Sequence, residues 1–234
     1  MNLIIINKNN NKKENANIKK LNLNDFDKVA KLQDISLKNL KRKDFCVELT
    51  KDELKAILTE GRGFTYGVFV NNSLISFYSV LFPNEEEYLG KDIDIPKENI
   101  NISANLEITH TLSNYQGNKF QKILCKLCLE EIQKNYSHIR YIMATIAPGN
   151  YSSMASTLCY NIYAFILKNK YNNLKRYILL QDLKSEFKLD ENSLKIVSGD
   201  DLVLQKELFS KDYVIHNIFI QNNETKFKMS KLKS

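Results

Sequence analysis

A glycine-containing turn between a strand and a helix is the feature of this sequence best suited to chemistry. The turn, Gln116–Gln121, reads QGNKFQ; it follows NLEITHTL, which is typical of a strand, and precedes an amphipathic run. A helix N-terminus exposes backbone N–H groups and about half a positive charge, which suits a phosphate. The spacing therefore predicts an anion site, with Gly117 giving the turn its conformational freedom.

Two side chains in this turn differ from those of a usual phosphate-binding loop. Lys119 and Gln121 stand where such loops usually keep glycine. A Cβ at position 119 limits how closely a phosphate can approach, but the backbone donor is retained, and Lys119 and Lys122 add positive charge. We interpret the turn as a working diphosphate cradle. The alternative is an ordinary polar helix start with Lys119 facing water.

The elements that position this turn follow a mixed α/β pattern. Apolar, β-branched and aromatic runs predict strands at 17–22, 63–70, 74–82, 104–112, 139–147, 162–171 and 175–183. Helices are predicted at 24–40, 50–60, 117–134 and within 148–160, and Thr50 with Glu53 forms a capping box. This order predicts an α/β (α+β) fold with a mostly antiparallel, twisted sheet and helices on both faces.

Both ends of the chain are expected to lie outside this domain. Residues 1–16 are mostly polar and are expected to form a mobile leader. Residues 184–234 contain LKIVS, DDLVLQKELFS and DYVIHNIFI, a strand–helix–strand (β-α-β) pattern. It predicts a small appendage; the alternative is that these are edge strands added to the main sheet. The predicted division is therefore 1–16, 17–183 and 184–234.

Composition narrows the class of protein. A net charge of +7 would by itself raise nucleic acid, an anionic cofactor or a membrane surface as partners. The abundance of Asn, Lys and Ile is typical of an AT-rich genome, so we assign much of this charge to solvated surface. No run approaches the roughly 20 apolar residues of a membrane span, and Leu3–Ile6 is too short for a signal peptide. We expect a soluble, cytoplasmic protein with neither a nucleic-acid nor a membrane partner.

The four cysteines predict neither a disulfide framework nor a metal site. Cys125 and Cys128 have CxxC spacing, but they lie in a predicted helix without a second CxxC or a histidine pair, so a core position is favoured over zinc. Cys159 could in principle carry a covalent acyl group, although no basic partner is visible for it. Cys46 stands apart from the other three.

The element order and two motifs together resemble the GCN5-related N-acetyltransferase (GNAT) superfamily over about residues 17–183. The family's pyrophosphate loop, Arg/Gln-x-x-Gly-x-Gly/Ala, corresponds to QGNKFQ, and the later segment APGNYSS keeps the family's Asn at Asn150 and a small polar residue at Ser153. The segment KNKYNNLKRYIL is similar to a bacterial subgroup in which Asn118 and Gln121 are expected variants. Lys119, and Asn161-Ile162 in place of Gly-Phe, are departures.

This resemblance implies direct transfer of an acetyl group from acetyl-CoA to an amine, without a metal. Acetyl-CoA would lie in a split between strands 104–112 and 139–147. Its pyrophosphate would contact the loop residues Gln116, Gly117, Asn118, Lys119, Phe120 and Gln121. A backbone N–H near Thr111 or Leu112 would polarise the thioester carbonyl. Asn150 and Ser153 would contact the cofactor, although Asn150 also has the residue type of an ordinary helix N-cap.

The resemblance also implies an acid–base pair. Glu107 is the only carboxylate on strand 104–112, and the family often uses a carboxylate there to deprotonate the amine. An ion pair with a lysine, or a bond to a tyrosine, is the structural alternative. Strand alternation places Glu107 and His110 on opposite faces, so we expect His110 to be packed. The family's usual tyrosine, which protonates the leaving thiolate, is replaced by Thr157 here, and Tyr151 and Tyr160 lie nearby. Tyr160 is the first choice for this role, and protonation by water is the alternative.

The acceptor is expected to be a small-molecule amine or a peptide amine, and the protein a monomer or homodimer. Glu85, Glu86 and Glu87 in the polar insertion 83–99 could steer a cationic amine, or could simply be solvated. The alternative function is a non-catalytic GNAT-like module that binds or senses a ligand and whose cofactor loop is degenerate. A basic nucleic-acid binder is a third hypothesis, disfavoured because no basic helix or aromatic RNA motif is present.

Overall fold

The computed structural model describes residues 1–233, which divide into two compact units. Unit 1 comprises residues 1–82 and 106–136, and unit 2 comprises residues 83–105 and 137–234. Both units combine helices with antiparallel strand pairs, so the expected mixed α/β fold class is confirmed. The predicted division into 17–183 and 184–234 stays a prediction.

Unit 1 holds the glycine turn. Its elements are β1 (Asn2–Asn7), β2 (Lys12–Leu21), α1 (Phe26–Lys38), α2 (Lys51–Ala56), β3 (Gly63–Val70), β4 (Ser73–Leu81), β5 (Ser103–Thr111, in unit 1 from Leu106 onward) and α3 (Phe120–Asn135). The strands lie in the order β1-β2-β3-β4-β5. The predicted capping box forms, because Thr50 Oγ1 accepts from Glu53 N–H while Glu53 accepts from Thr50 N–H.

The core of unit 1 packs α1 and α2 against the sheet. Val29 and Leu32 of α1 and Leu54 of α2 are at most 2% exposed, and they share one cluster with Phe77 of β4 and Ile108 of β5. This cluster covers the face of β5 that carries Ile108. Burial of such aliphatic and aromatic side chains is the main force that holds β5 in place.

Residues 1–16 differ from the expected mobile leader. They form β1 and the first part of β2, which pair antiparallel from Asn2↔Asn17 to Asn7↔Lys12. Ile5 and Ala16 are each 3% exposed, whereas Ile4 is 74% exposed, as strand alternation requires. Their polar composition is typical of a mobile segment, but it also suits these strands, because a strand with only one buried face needs few apolar residues.

Unit 2 contains the second predicted motif. Its elements are β6 (Tyr141–Ile146), α4 (Tyr151–Leu158), β7 (Tyr163–Lys170), β8 (Leu174–Asp182), β9 (Lys195–Ser198), α5 (Leu202–Phe209), β10 (Tyr213–Gln221) and β11 (Glu224–Lys231). The strands lie in the order β6-β8-β7-β10-β11-β9. The predicted β-α-β pattern at the C-terminus is present as β9, α5 and β10, and β11 follows as an additional strand.

Paired asparagines make the tight turns of three hairpins. Asn71-Asn72, Asn172-Asn173 and Asn222-Asn223 all have positive φ, between +46° and +75°. Asparagine tolerates the left-handed backbone that such turns need, so in this glycine-poor chain it takes the place that glycine often fills. The pair at 222–223 is a signal from which β11 could have been predicted.

The C-terminal segment contributes to the core of unit 2. Ile215, Phe227 and Met229 are fully buried, and the ring of Phe227 lies 6.2 Å from that of Tyr177 on β8. Residues after 183 are therefore packed against the strands before 183. Within residues 1–233, no helix has the length and apolar character needed to cross a membrane.

Candidate functional site

Two left-handed residues turn the chain from β5 into α3. Gly117 has φ +90°, and Lys119, the N-cap of α3, has φ +61° and ψ +24°. The first helical hydrogen bond runs from Ile123 N–H to Lys119 C=O. A glycine at position 119 would adopt this conformation without the steric cost of a Cβ, which gives a physical reason for glycine in the related loops.

The turn lies at the surface, at the N-terminal end of α3. Lys119 makes no side-chain cap, and the N–H groups of the first turn, from Phe120 to Lys122, point out of the helix end. Gln116 and Lys119 are exposed, whereas Phe120 is only 2% exposed. Phe120 therefore anchors the loop with its ring and presents only its backbone to a ligand.

The side chain of Asn118 is hydrogen-bonded to the N-terminal hairpin, which is formed by β1 and β2. Its Oδ1 accepts from Ile6 N–H, and its Nδ2 donates to Ile6 C=O and to Tyr115 C=O, each at 2.8 Å. Both N–H donors of the amide are thus engaged. For the predicted cofactor contact, Asn118 offers its backbone rather than its side-chain amide.

The same hairpin brings Lys8 to the loop, a contact that the sequence did not predict. A Cβ added at Gly117 would lie 3.2 Å from Lys8 Cε and 3.3 Å from Lys8 Nζ. Lys8 N–H also donates to Asn114 C=O at 2.8 Å. No local pattern links residues 8 and 117, because only the docking of the hairpin brings them together.

Strand β5 has the predicted alternation. Glu107, Thr109 and Thr111 are partly exposed, while Ile108 and His110 are buried. Thr109 Oγ1 donates to Phe77 C=O at 3.0 Å, and Thr111 Oγ1 is 2.7 Å from Ser76 Oγ. The strand therefore places Glu107 on the more accessible face.

The two predicted oxyanion donors at the end of β5 are not equivalent. Leu112 N–H donates to Ile75 C=O on β4 at 3.0 Å, so this donor is already engaged. Successive N–H groups of a strand point to opposite sides, and Thr111 N–H therefore points away from β4. Of the two predicted donors, only Leu112 N–H is engaged by β4, and donation by Thr111 N–H to a ligand stays a prediction.

His110 is buried, as the alternation of side chains along the strand predicts. It is 7% exposed, its ring centroid lies 5.4 Å from that of Phe77, and its Nε2 has no hydrogen-bond partner within the described residues. Burial disfavours the charged imidazolium and lowers the pKa of His110 from 6.5 to about 4. The imidazole is therefore neutral at pH 7.

In unit 2, the structure gives Asn150 and Ser153 capping contacts. Asn150 is the N-cap of α4, and its Oδ1 accepts from Ser153 N–H at 3.3 Å. Asn150 C=O also accepts from Met154 N–H, the first helical bond. This geometry fits the capping interpretation, and their predicted contact with a cofactor stays a prediction.

The candidate general acid lies beyond α4 rather than on it. α4 ends at Leu158, and Tyr160 follows in a turn whose carbonyl accepts from Gln181 Nε2 at 2.9 Å. Thr157, at the family's usual tyrosine position, is 3% exposed and donates to Ser153 C=O. Tyr151 OH donates to Asp200 Oδ1 at 2.5 Å, which joins the start of α4 to the turn before α5.

Two cysteines are buried in the core, and two glutamates of the polar insertion have partners within the protein. Cys125 and Cys128 are buried in α3, and burial raises the pKa of Cys128. The described residues contain no cluster of three or more His, Cys, Asp or Glu suited to a metal ion. In the polar insertion, Glu85 forms an ion pair with Lys97, and Glu87 accepts from Asn84 N–H.

Comparison with solved structures identifies the fold. A probable acetyltransferase from Staphylococcus epidermidis superposes with a TM-score of 0.51 at 20% identity, covering 72% of this chain and 99% of that one. A ribosomal-protein-S5-alanine acetyltransferase from Vibrio fischeri gives 0.55 at 12% identity, covering 80% and 98%. The chain has the GNAT fold. Arabidopsis thaliana NAA60 in complex with acetyl-CoA, a GNAT neighbour, gives 0.54 at 10% identity, covering 73% and 99%.

No family model and no curated protein sequence matches the chain. The identities to the GNAT neighbours are too low to carry over an activity, so the comparisons show the fold alone. The role of each candidate residue therefore depends on its own contacts in the structure.

The left-handed backbone at Lys119 predicts a position-specific effect on stability. Lys119→Val should lower the free energy of unfolding by about 1–2 kcal/mol, since a β-branched side chain is strongly disfavoured at positive φ. Lys122→Val, on the first turn of the same helix, should cost only about 0.5 kcal/mol from lower helix propensity. Urea denaturation compares the two variants; equal losses would contradict the assigned role of the backbone at 119.

Buried His110 predicts a loss of stability in acid. Its folded pKa lies below its unfolded value, so the unfolded state binds more protons between about pH 6.5 and 4, and stability falls as the pH falls through that window. The loss attributable to His110 should reach about 3 kcal/mol at pH 4. His110→Leu should reduce this pH dependence, whereas His138→Leu at an exposed position should retain it. Urea denaturation from pH 7.5 to 4 measures both; an unchanged slope in His110→Leu would contradict the assignment.

Proposed function

We propose that the protein is an acetyl-CoA-dependent N-acetyltransferase that transfers the acetyl group directly to an amine. The proposal depends on one observation. Within a GNAT fold, Gly117 and Lys119 adopt left-handed conformations, and the helix α3 begins directly after them. The acetyltransferases among the structural neighbours, one of them in complex with acetyl-CoA, support this activity.

The loop residues fit a diphosphate. Gln116 N–H donates to Ser113 C=O, so the backbone N–H groups from Gly117 to Gln121 are the proposed donors. The helix dipole favours negative charge, and Lys119 and Lys122 add cations near the turn. Gly117 permits the left-handed backbone of the turn, with φ +90°. When bound, acetyl-CoA would supply the acetyl thioester, and Thr111 N–H is the proposed donor to the thioester carbonyl.

Glu107 is the proposed base. An amine must be neutral before it can attack a thioester, and a carboxylate that accepts its proton, directly or through water, speeds such a step by about 10²–10⁴-fold. Glu107 is partly exposed on β5, on the same face as Thr111, which suits both proton transfer and ion pairing with a cationic substrate. Asn150, Ser153 and Tyr160 stay predictions for the cofactor contact and the proton donor.

The proposed acceptor is a small-molecule amine or a peptide amine. The neighbour from Vibrio fischeri is an acetyltransferase of a ribosomal-protein alanine, which supports including peptides with a free N-terminal amine. We further propose a cytoplasmic location and a monomer or homodimer, without a metal cofactor.

Calorimetry with acetyl-CoA, followed by an acceptor panel, tests the activity. Acetyl-CoA should bind, and an amine in the panel should release CoA, detected as free thiol. A Cys159→Ser variant lowers the background of thiol detection, because Cys159 is exposed. Binding of acetyl-CoA without transfer to any acceptor would contradict the proposed activity. Absence of binding would exclude the enzyme and favour the sensing module, whose cofactor loop is degenerate.

The proposed base gives a separate prediction. Glu107→Gln should lower kcat by about 100-fold while leaving the Kd for acetyl-CoA within about twofold, because the change removes a proton acceptor and keeps the shape of the side chain. Glu60→Gln, an exposed carboxylate outside the proposed site, is the matched control and should leave both values unchanged. Unchanged turnover in Glu107→Gln would exclude Glu107 as the base.

A further inference from the structure

The N-terminal hairpin lies against the glycine turn. Lys8 follows directly after β1, its backbone N–H donates to Asn114 C=O, and its side chain covers the open side of Gly117, at 3.2–3.3 Å from where a Cβ would be. A side chain at position 117 would therefore meet Lys8. Glycine at this position permits both the left-handed backbone and the close approach of the lysine.

Side-chain hydrogen bonds fix the hairpin in this position. Asn118 pairs through its amide with both the N–H and the C=O of Ile6, in the manner of a neighbouring strand. On the other side, Tyr115 OH donates to Glu14 at 2.8 Å, and Asn7 Nδ2 donates to Glu14 and Tyr115. Lys8 is thus carried on a segment tied to the loop at three places, and not on a free chain end.

The charge of Lys8 is not neutralised by the protein. Among residues 1–233, Lys8 forms no salt bridge, whereas Glu14, the acidic residue of the hairpin, is occupied by Asn7 and Tyr115. An ammonium group held beside a helix N-terminus adds to the positive potential there. Lys8 is exposed, so its ammonium group is accessible to an anion that binds at the turn.

We propose that Lys8 is an additional binding residue for the pyrophosphate of the acetyl-CoA bound by this protein. The proposal depends on the acetyl-CoA site proposed above and adds a cation from outside the loop motif. The lysine stands over Gly117, within the cradle itself, so it contacts the diphosphate rather than the 3′-phosphate of the adenosine end. The hairpin pre-organises Lys8, which lowers the entropic cost of ordering a long side chain.

Calorimetry on three variants of the full-length chain tests this role. Lys8→Ala should weaken acetyl-CoA binding by about three- to tenfold, and Lys8→Glu by more, because a repulsive charge replaces an attractive one. Lys12→Ala removes the same charge from the same hairpin, on the face shared with Asn7, and should change the Kd by less than about twofold. Circular dichroism and thermal melts verify that all three variants fold like the wild type.

Salt and ligand analogues identify the phosphate. Raising the ionic strength should weaken binding less in Lys8→Ala than in the wild type, since one ionic contact is absent. Dephospho-CoA, which lacks the 3′-phosphate, should show the same fold loss on Lys8→Ala as CoA if Lys8 contacts the pyrophosphate. If the loss disappears with dephospho-CoA, Lys8 contacts the 3′-phosphate and the assignment is overturned.

The remaining outcomes separate the two proposals. If the wild type binds acetyl-CoA and Lys8→Ala binds equally well, the role of Lys8 is refuted and the proposed function is unaffected. If the wild type binds neither acetyl-CoA nor CoA, the proposed function fails, and the role of Lys8 fails with it. If Lys12→Ala weakens binding as much as Lys8→Ala, the effect reflects general charge, and the specific contact is overturned.

Discussion

The candidate site depends on a backbone constraint: the chain must reverse from β5 into α3 within a few residues, through left-handed positions at Gly117 and Lys119. This reversal aims the N-terminal end of α3 outward and buries the ring of Phe120 beneath it. A glycine would meet the constraint at 119 without strain, and the lysine meets it at a steric cost. Such a cost is tolerated where the surrounding contacts determine the conformation, and the α3 helix and Asn118 supply those contacts here.

Hydrogen bonds already made within the protein decide which groups are available to a ligand. The side-chain amide of Asn118 is hydrogen-bonded to Ile6, and Leu112 N–H donates to Ile75 C=O. Asn150 Oδ1 accepts from Ser153 N–H in the first turn of α4. Thr111 N–H points away from β4, and the first N–H groups of α3 have no partner within the helix; their use by a ligand is the proposal made above. His110, a reactive residue type on the same strand as Glu107, is buried and neutral at pH 7, so it supports the core rather than the chemistry.

The two chain ends are structural parts of the units that contain them. The N-terminal hairpin extends the sheet of unit 1 and is tied to the glycine turn, and the C-terminal strands bury Ile215, Phe227 and Met229 in unit 2. The N-terminal end was expected to be a mobile leader, because an edge strand buries one face only and its composition is close to that of a loop. The strand–helix–strand pattern of the C-terminal end was predicted, and β11 is the strand that follows it.

The sequence alone determined the order of strands and helices between residues 17 and 183, the capping box at Thr50, the alternation along β5 and the location of the glycine turn, because each depends on residues close in the chain. It also provided the resemblance to the GNAT superfamily, whose fold the structure has. Only the tertiary structure decided that Asn118 binds a strand, that Leu112 N–H is engaged, and that Lys8 reaches Gly117. These contacts join residues as much as 112 positions apart, so no local pattern encodes them.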